Sequence, residues 1–157
     1  MWQTEFLSWW LGVTYPRARF KMTVRLGPLT GTMSDPTLTP AEQRLVGAAW
    51  RRWADAIVVL PHELLVVECD LIPKPGVISQ LQAYLALVDS TPELATERLL
   101  PRRGVLLWAV GDPFTEALAA RAGLSVVVAR PPHFQEWLGT VRARERRPLS
   151  QHPPFGS

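Results

Sequence analysis

The pattern of apolar and polar positions predicts strands that alternate with helices. The segment KMTVRLG, residues 21–27, alternates with a period of two, which is typical of a strand. Two aliphatic and β-branched runs, WADAIVVL and ELLVVECDL, flank Pro61 and His62, and this pattern predicts a hairpin. The near-continuous apolar character of both runs indicates strands that are buried on both faces.

Helical spacing of apolar residues indicates an amphipathic helix in PGVISQLQAYLALV, residues 75–88. A capping box formed by Thr39 and Glu42 predicts a helix over about 40–50. The remaining elements are a strand at 104–111, a helix at 112–123 with Asp112 as its N-cap, a strand at 124–130 and a helix at 131–144. The order predicts an α/β fold, a central mixed β-sheet flanked by helices.

The two ends of the chain differ from the middle. Residues 1–20 contain six aromatic side chains without a clear period, and two structures fit them: a helix that packs on the protein's own core, or an arm that docks onto a partner. Residues 141–157 form a basic, Pro-rich tail that we expect to be disordered in isolation. We therefore divide the chain into an N-terminal aromatic arm (1–20), an α/β domain (21–140) and a C-terminal tail.

Composition excludes several classes of protein. One cysteine, Cys69, rules out a disulfide within the chain and a cysteine-based zinc site. No apolar span reaches the ~18 residues of a bilayer helix, and the N-terminus lacks the features of a signal peptide, so we expect a soluble, non-secreted protein. The net charge of +3 permits nucleic-acid contact without requiring it, and the predominance of Arg over Lys suits phosphate contacts or reflects a GC-rich genome.

The predicted hairpin carries three carboxylates, Asp55, Glu68 and Asp70. Glu68 and Asp70 share one face of a strand, and a turn near Pro61 and His62 pairs residues whose numbers sum to about 123, which places Asp55 opposite Glu68. Buried like charges need a proton with a raised pKa or a cation, and hard oxygen ligands favour Mg²⁺ or Mn²⁺. The alternative is that these acids end strands and face water.

Asp55, the sequence Glu68-x-Asp70 and then Gln80-Leu81-x-x-Tyr84 on the next helix resemble the PD-(D/E)XK nuclease superfamily, in particular its RecB-type exonuclease branch. The likeness covers about residues 40–130 and implies a restriction-endonuclease-like fold. It implies Asp55, Glu68 and the Cys69 carbonyl as metal ligands, Gln80 facing the site, and Tyr84 packing or touching the nucleic-acid backbone. Glu42 matches a helix acid of some members, although the capping box explains it better.

The chain departs from that family at Asp70, where the family has a lysine. The lysine orients the attacking water, and losing one preorganised stabilising group typically costs about 10²- to 10³-fold in rate. Two compensations are open: Asp70 as a ligand for a second metal, or Lys74 reaching back into the site. Three hypotheses follow from this departure.

The first hypothesis is a structural or adaptor protein with a degenerate active site in a DNA-handling assembly, such as a bacteriophage head–tail neck or packaging complex. It would be an oligomer or an assembly subunit, in the host cytoplasm or the virion, with protein partners at both ends of the chain and DNA as a further candidate. The second is an active Mg²⁺- or Mn²⁺-dependent exonuclease or endonuclease, in which Asp55, Glu68 and Asp70 hold the metal and Lys74, Gln80 and Tyr84 position the substrate. The third is a plain interaction domain.

Overall fold

A five-stranded mixed sheet forms the centre of the computed structural model, which describes residues 2–28, 36–43, 45 and 52–145. The strands are β1 (Arg19–Leu26), β2 (Arg52–Val59), β3 (Leu64–Asp70), β4 (Arg102–Trp108) and β5 (Ser125–Val128). They lie side by side in chain order, so β1 and β5 are the edges. β2 is antiparallel to β1 and β3, whereas β3, β4 and β5 are parallel to one another.

Helices cover both faces of this sheet. They are α1 (Trp2–Thr14), α2 (Gly76–Leu87), α3 (Pro113–Arg121) and α4 (Phe134–Glu145). Three short 3₁₀ turns, Val88–Ser90, Pro92–Leu94 and Glu97–Leu99, connect α2 to β4. The predicted α/β architecture with a mixed sheet is confirmed, and so is Asp112 as the N-cap of α3, because its carboxylate accepts the Thr115 amide at 3.2 Å.

The central strand β3 explains why the sheet has two cores. Six of its seven residues are buried, and successive side chains point to opposite faces. One face packs against α1 and α4, and the other against α2, α3 and the 3₁₀ turns. Each fully buried Leu or Val contributes roughly 1.5–3 kcal/mol through the hydrophobic effect. Both faces of β3 therefore bind helices, as its apolar run predicted.

The aromatic N-terminus belongs to this fold. Phe6, Leu7, Trp10 and Leu11 of α1 are at most 4 % exposed and contact the sheet core. Of the two alternatives for residues 1–20, the structure has the helix that packs on the protein's own core. Most of the segment set apart as an aromatic arm therefore forms α1, whose apolar side is occupied by the sheet.

Two other predictions fall partly outside the described residues. In the helix predicted over 40–50, residues 40–43 and 45 are helical, and the rest lie outside the described part of the chain. Its capping box is confirmed: the Thr39 amide donates to the Glu42 carboxylate at 2.7 Å, and the Glu42 amide donates to the Thr39 hydroxyl at 3.2 Å. Residues 141–145 of the predicted tail continue α4, while 146–157 are outside the description. Among the described helices, none combines the length and apolarity needed to cross a membrane.

Candidate acidic site

The register of the hairpin positions the acids. Ala56 pairs with Val67 and Val59 pairs with Leu64, which confirms the predicted pairing of residues whose numbers sum to 123. The turn at Pro61 and His62 fixes this register because it is short, and the Leu60 amide closes it by donating to the Glu63 carbonyl at 2.9 Å. Extended by one step, the register brings Asp55 to the level of Glu68.

The sheet is distorted at Asp55. β1 and β2 pair on both sides of Thr23 and Asp55, but those two residues do not pair, and Thr23 has a positive φ of 55°. Met22 packs on the α1 side of the sheet, whereas Val24 packs on the α2 side. Residues two apart on a regular strand share a face. The β1–β2 ribbon therefore changes face at this point, and Asp55 lies at the change.

The Asp55 carboxylate takes the place of a backbone acceptor. Its Oδ2 accepts the Cys69 amide at 2.8 Å and the Gln3 side-chain amide at 3.1 Å. The same Gln3 nitrogen donates to the Cys69 carbonyl. Burial raises the pKa of Asp55, and the hydrogen bonds from Cys69 and Gln3 act against that rise. Gln3 of α1 thus holds both Asp55 and the Cys69 carbonyl.

Glu68 is held from the other side of the sheet. It is 8 % exposed, and its Oε1 accepts the Gln80 side-chain amide of α2 at 2.9 Å. Its Oε2 is buried and has no hydrogen-bond partner. Burial raises the pKa of Glu68 to about 8, and the charges of Asp55 and Asp70 add to the rise. At neutral pH the carboxyl group is therefore mostly protonated.

Gln80 links Glu68 to a buried tyrosine. Its side-chain amide also donates to the Tyr84 hydroxyl, and Tyr84 is 3 % exposed. Burial, followed by the charge of Glu68, raises the pKa of Tyr84. The structure therefore brings together Glu68, Gln80 and Tyr84, as the resemblance implied, with Tyr84 in a packing position.

The remaining predicted residues lie at the end of β3. Lys74 Nζ is 3.3 Å from Asp70 Oδ1, and the lysine side chain is 70 % exposed. Lys74 thus reaches back, but to Asp70 itself. The Cys69 thiol is buried, and burial raises its pKa, so it stays a neutral thiol. Its carbonyl, the predicted metal ligand, accepts from Gln3.

The three carboxylates have protein donors from three different places: Gln3 on α1, Gln80 on α2 and Lys74 in the loop after β3. Among the described residues, no three His, Cys, Asp or Glu side chains are arranged to hold a metal ion. Glu68 Oε2 is buried without a hydrogen-bond partner, and a proton on Glu68 removes the cost of burying its charge. As they stand, these residues do not fit a resident Mg²⁺ or Mn²⁺. The arrangement favours neutralisation by protein donors and a proton.

Two participants were not predicted from the sequence. Gln3 lies in an apolar segment, and its contact with Asp55 spans 52 residues, so no local pattern indicates it. Trp108 of β4 pairs with Asp70 across the sheet and is fully buried, and its indole Nε1 has no hydrogen-bond partner. A tryptophan in an apolar strand is indistinguishable from an ordinary core residue.

Comparisons with protein-family models, with curated proteins and with solved structures give no significant match to this chain. The geometry and chemistry of the site therefore carry the functional argument.

Proposed function

We propose that this chain is a nuclease-like domain that has lost catalysis and serves as a structural or adaptor component of a DNA-handling assembly. The observation that carries the proposal is the double hydrogen bond of the Gln3 amide to Asp55 Oδ2 and to the Cys69 carbonyl. In the family that the sequence resembles, both positions are ligands of the catalytic metal. An amide donor on these oxygens competes with a cation for them.

Position 70 supports the same proposal. A lysine there would place a positive charge beside the scissile phosphate, whereas Asp70 places a carboxylate there. Lys74 does not restore the missing positive charge, because its ammonium group pairs with Asp70 and its side chain is largely exposed to solvent. A charge pair that cancels locally gives little stabilisation to a developing negative charge.

A nuclease-like domain without catalytic activity fits a structural or adaptor role. A bacteriophage head–tail neck or packaging complex is the setting we propose, in the virion or the host cytoplasm, with the protein as one subunit of a larger assembly. This setting follows from the resemblance to the nuclease superfamily and not from the geometry of the acidic site.

The test is an assay of nuclease activity on linear double-stranded and single-stranded DNA with Mn²⁺, beside the double variant Asp55→Ala/Glu68→Ala. We expect no cleavage by either protein. We also expect millimolar Mn²⁺ to leave the melting temperature unchanged, since a metal that binds only the folded state must raise it. Cleavage that the double variant abolishes would overturn the proposal.

One observation favours the catalytic alternative, an Mg²⁺- or Mn²⁺-dependent nuclease. Glu68 is a buried acid with a raised pKa and an orphaned Oε2, and strongly perturbed acids are enriched at functional sites. The variant Gln3→Ala separates the two candidates. If Gln3 only occupies a latent site, its removal should make the melting temperature rise with Mn²⁺, whereas a lost site stays indifferent to the metal.

A further inference from the structure

The edge strand β1 carries an unusual charge distribution. No acidic residue occurs between Glu5 and Asp35, and the basic residues in that interval are Arg17, Arg19, Lys21 and Arg25. All four lie on β1 or just before it, and β1 is paired on one side only. We call these four residues the basic edge.

Three of the four cations lie at the start of β1. Arg17, Arg19 and Lys21 are exposed. Arg19 and Lys21 are two apart on β1, so they share a face about 6.8 Å apart, and Arg17 lies in the turn just before the strand. Arg19 is paired with Val59 and Lys21 with Ile57 of β2. This face is the floor of a groove of about 450 Å³, whose far wall contains Glu93 and Glu97. A second groove continues past Arg17 along the same strand.

Exposed aromatic rings accompany the cations on the opposite face of the ribbon. Trp53 of β2 is 54 % exposed, and the Arg25 guanidinium lies 5.8 Å from its ring centroid. Phe20 of β1 is 41 % exposed. Arg25 covers one side of the Trp53 ring, and the exposure of the residue leaves ring surface for a second planar group. A guanidinium behind an aromatic ring favours a stacked base in front of it.

We propose that the basic edge and Trp53 bind single-stranded nucleic acid that crosses the free edge of β1, with phosphates along Arg17, Arg19 and Lys21 on one face of the ribbon and a base stacked on Trp53 on the other. A row of cations suits a linear polyanion, and an exposed ring can stack only on a base that is not already stacked in a duplex. The surface follows the edge strand and uses none of Asp55, Glu68 and Asp70. It names the nucleic-acid contact of the proposed assembly, and it rests on the proposed function only for that setting.

The charge part is tested with fluorescence anisotropy of labelled oligothymidylate and oligouridylate over a series of salt concentrations, in EDTA. The edge variant is Arg17→Gln/Arg19→Gln/Lys21→Gln. The matched control is Arg121→Gln/Arg142→Gln/Arg144→Gln, which removes the same charge from exposed positions on α3 and α4. Each phosphate contact contributes about 0.7 to the slope of log K against log salt for a single strand. We expect the edge variant to lower that slope by about 2 and the control to leave it unchanged.

The stacking part is tested with Trp53→Ala and Trp53→Phe. We expect Trp53→Ala to bind about tenfold more weakly and Trp53→Phe to bind within about threefold of the wild type, because phenylalanine keeps a ring for the base. Thermal unfolding confirms that all variants are folded. Tighter binding of the deoxy or the ribo oligonucleotide identifies DNA or RNA as the strand.

The inference is overturned if the wild type shows no salt-dependent binding to either oligonucleotide. It is also overturned if the control variant loses as much slope as the edge variant, because charge alone would then explain binding, or if a duplex of equal length binds more tightly. None of these outcomes bears on the metal indifference that tests the proposed function, because all binding is measured in EDTA.

Discussion

Two glutamates at opposite ends of β3 meet opposite environments. Glu63, immediately before the strand, accepts two hydrogen bonds from the Arg103 guanidinium, at 2.7 and 3.2 Å, and this pairing lowers its pKa. Glu68, near the other end, is buried, accepts the Gln80 amide, and has a pKa raised to about 8. The same residue type on one strand is thus a charged surface partner in one place and a neutral buried acid in the other.

The difference shows how this fold neutralises acids. A half-exposed glutamate is stabilised as an ion by a forked guanidinium, which suits a planar carboxylate. A buried glutamate beside two other carboxylates can only lower its cost by keeping its proton or by gaining a cation. Because the neighbouring oxygens are held by Gln3 and Lys74, the proton is the solution that the structure favours at Glu68.

The largest expected effect comes from Glu68→Gln at high pH. Because the folded-state pKa of Glu68, about 8, is above the ordinary value of 4.5, its stabilisation is complete below pH 4.5 and lost as pH rises through 8. The wild type should lose roughly 3–5 kcal/mol of unfolding free energy over that range relative to Glu68→Gln, which mimics the protonated acid. Urea denaturation at pH 5, 7 and 9 measures the difference. Parallel pH profiles for the two proteins would contradict it.

Next in size is the loss of the Asp55 acceptor. Asp55→Ala leaves the Cys69 amide without its partner, and this should reduce the free energy of unfolding by about 1–3 kcal/mol. Asp55→Asn keeps a carbonyl oxygen for that amide and should cost less than about 1 kcal/mol. Chemical denaturation of both variants at pH 7 checks the pair. Equal losses would mean that the charge of Asp55, and not its acceptor oxygen, stabilises the contact with Cys69.

A smaller effect of opposite pH dependence is expected from Glu63→Gln. The lowered pKa of Glu63 means that its pairing with Arg103 stabilises the fold above the ordinary value of 4.5 and is lost as pH falls. Since the pair is partly exposed, removing it should cost less than about 1 kcal/mol at pH 7 and less still at high salt. Denaturation at pH 3 and pH 7 measures this. If the free energy of unfolding that Glu63→Gln removes grew toward acid pH, the expected pH dependence of Glu63 would be contradicted.

The smallest effect is expected from Lys74→Ala. The lysine is 70 % exposed, so its pairing with Asp70 should contribute less than about 0.5 kcal/mol, and salt should remove it. Thermal unfolding at low and high ionic strength tests this. A loss above about 1 kcal/mol would show that Asp70 depends on its lysine far more than a surface pair does.

Much of the fold could be predicted because local rules govern it. The short turn fixed the pairing of β2 with β3, the apolar period of α2 was clear, and Asp112 followed the ordinary preference for an N-cap. The acids at 55, 68 and 70 were identified from the same register. Their hydrogen-bond partners could not all be predicted from the sequence, because the contact of Gln3 with Cys69 spans 66 residues and depends on where α1 packs.

The bend of the β1–β2 ribbon was beyond sequence reasoning for a different reason. A positive φ is costly for a β-branched residue, so nothing in the alternation of KMTVRLG indicates Thr23 as the position where the strand changes face. This change also explains why Asp55 and Glu68, expected on one side, obtain donors from helices on opposite sides of the sheet. Strict alternation is the assumption that failed here.

The most direct test of the central claim is a carbon-13 NMR titration of the Glu68 side-chain carboxyl, assigned by comparison with Glu68→Gln, with and without millimolar Mg²⁺. If protein donors and a proton neutralise the acidic site, the midpoint should lie near pH 8 and should not move when Mg²⁺ is added. A midpoint near the ordinary value of 4.5, or one that falls sharply with Mg²⁺, would contradict the account and indicate a site that takes a cation.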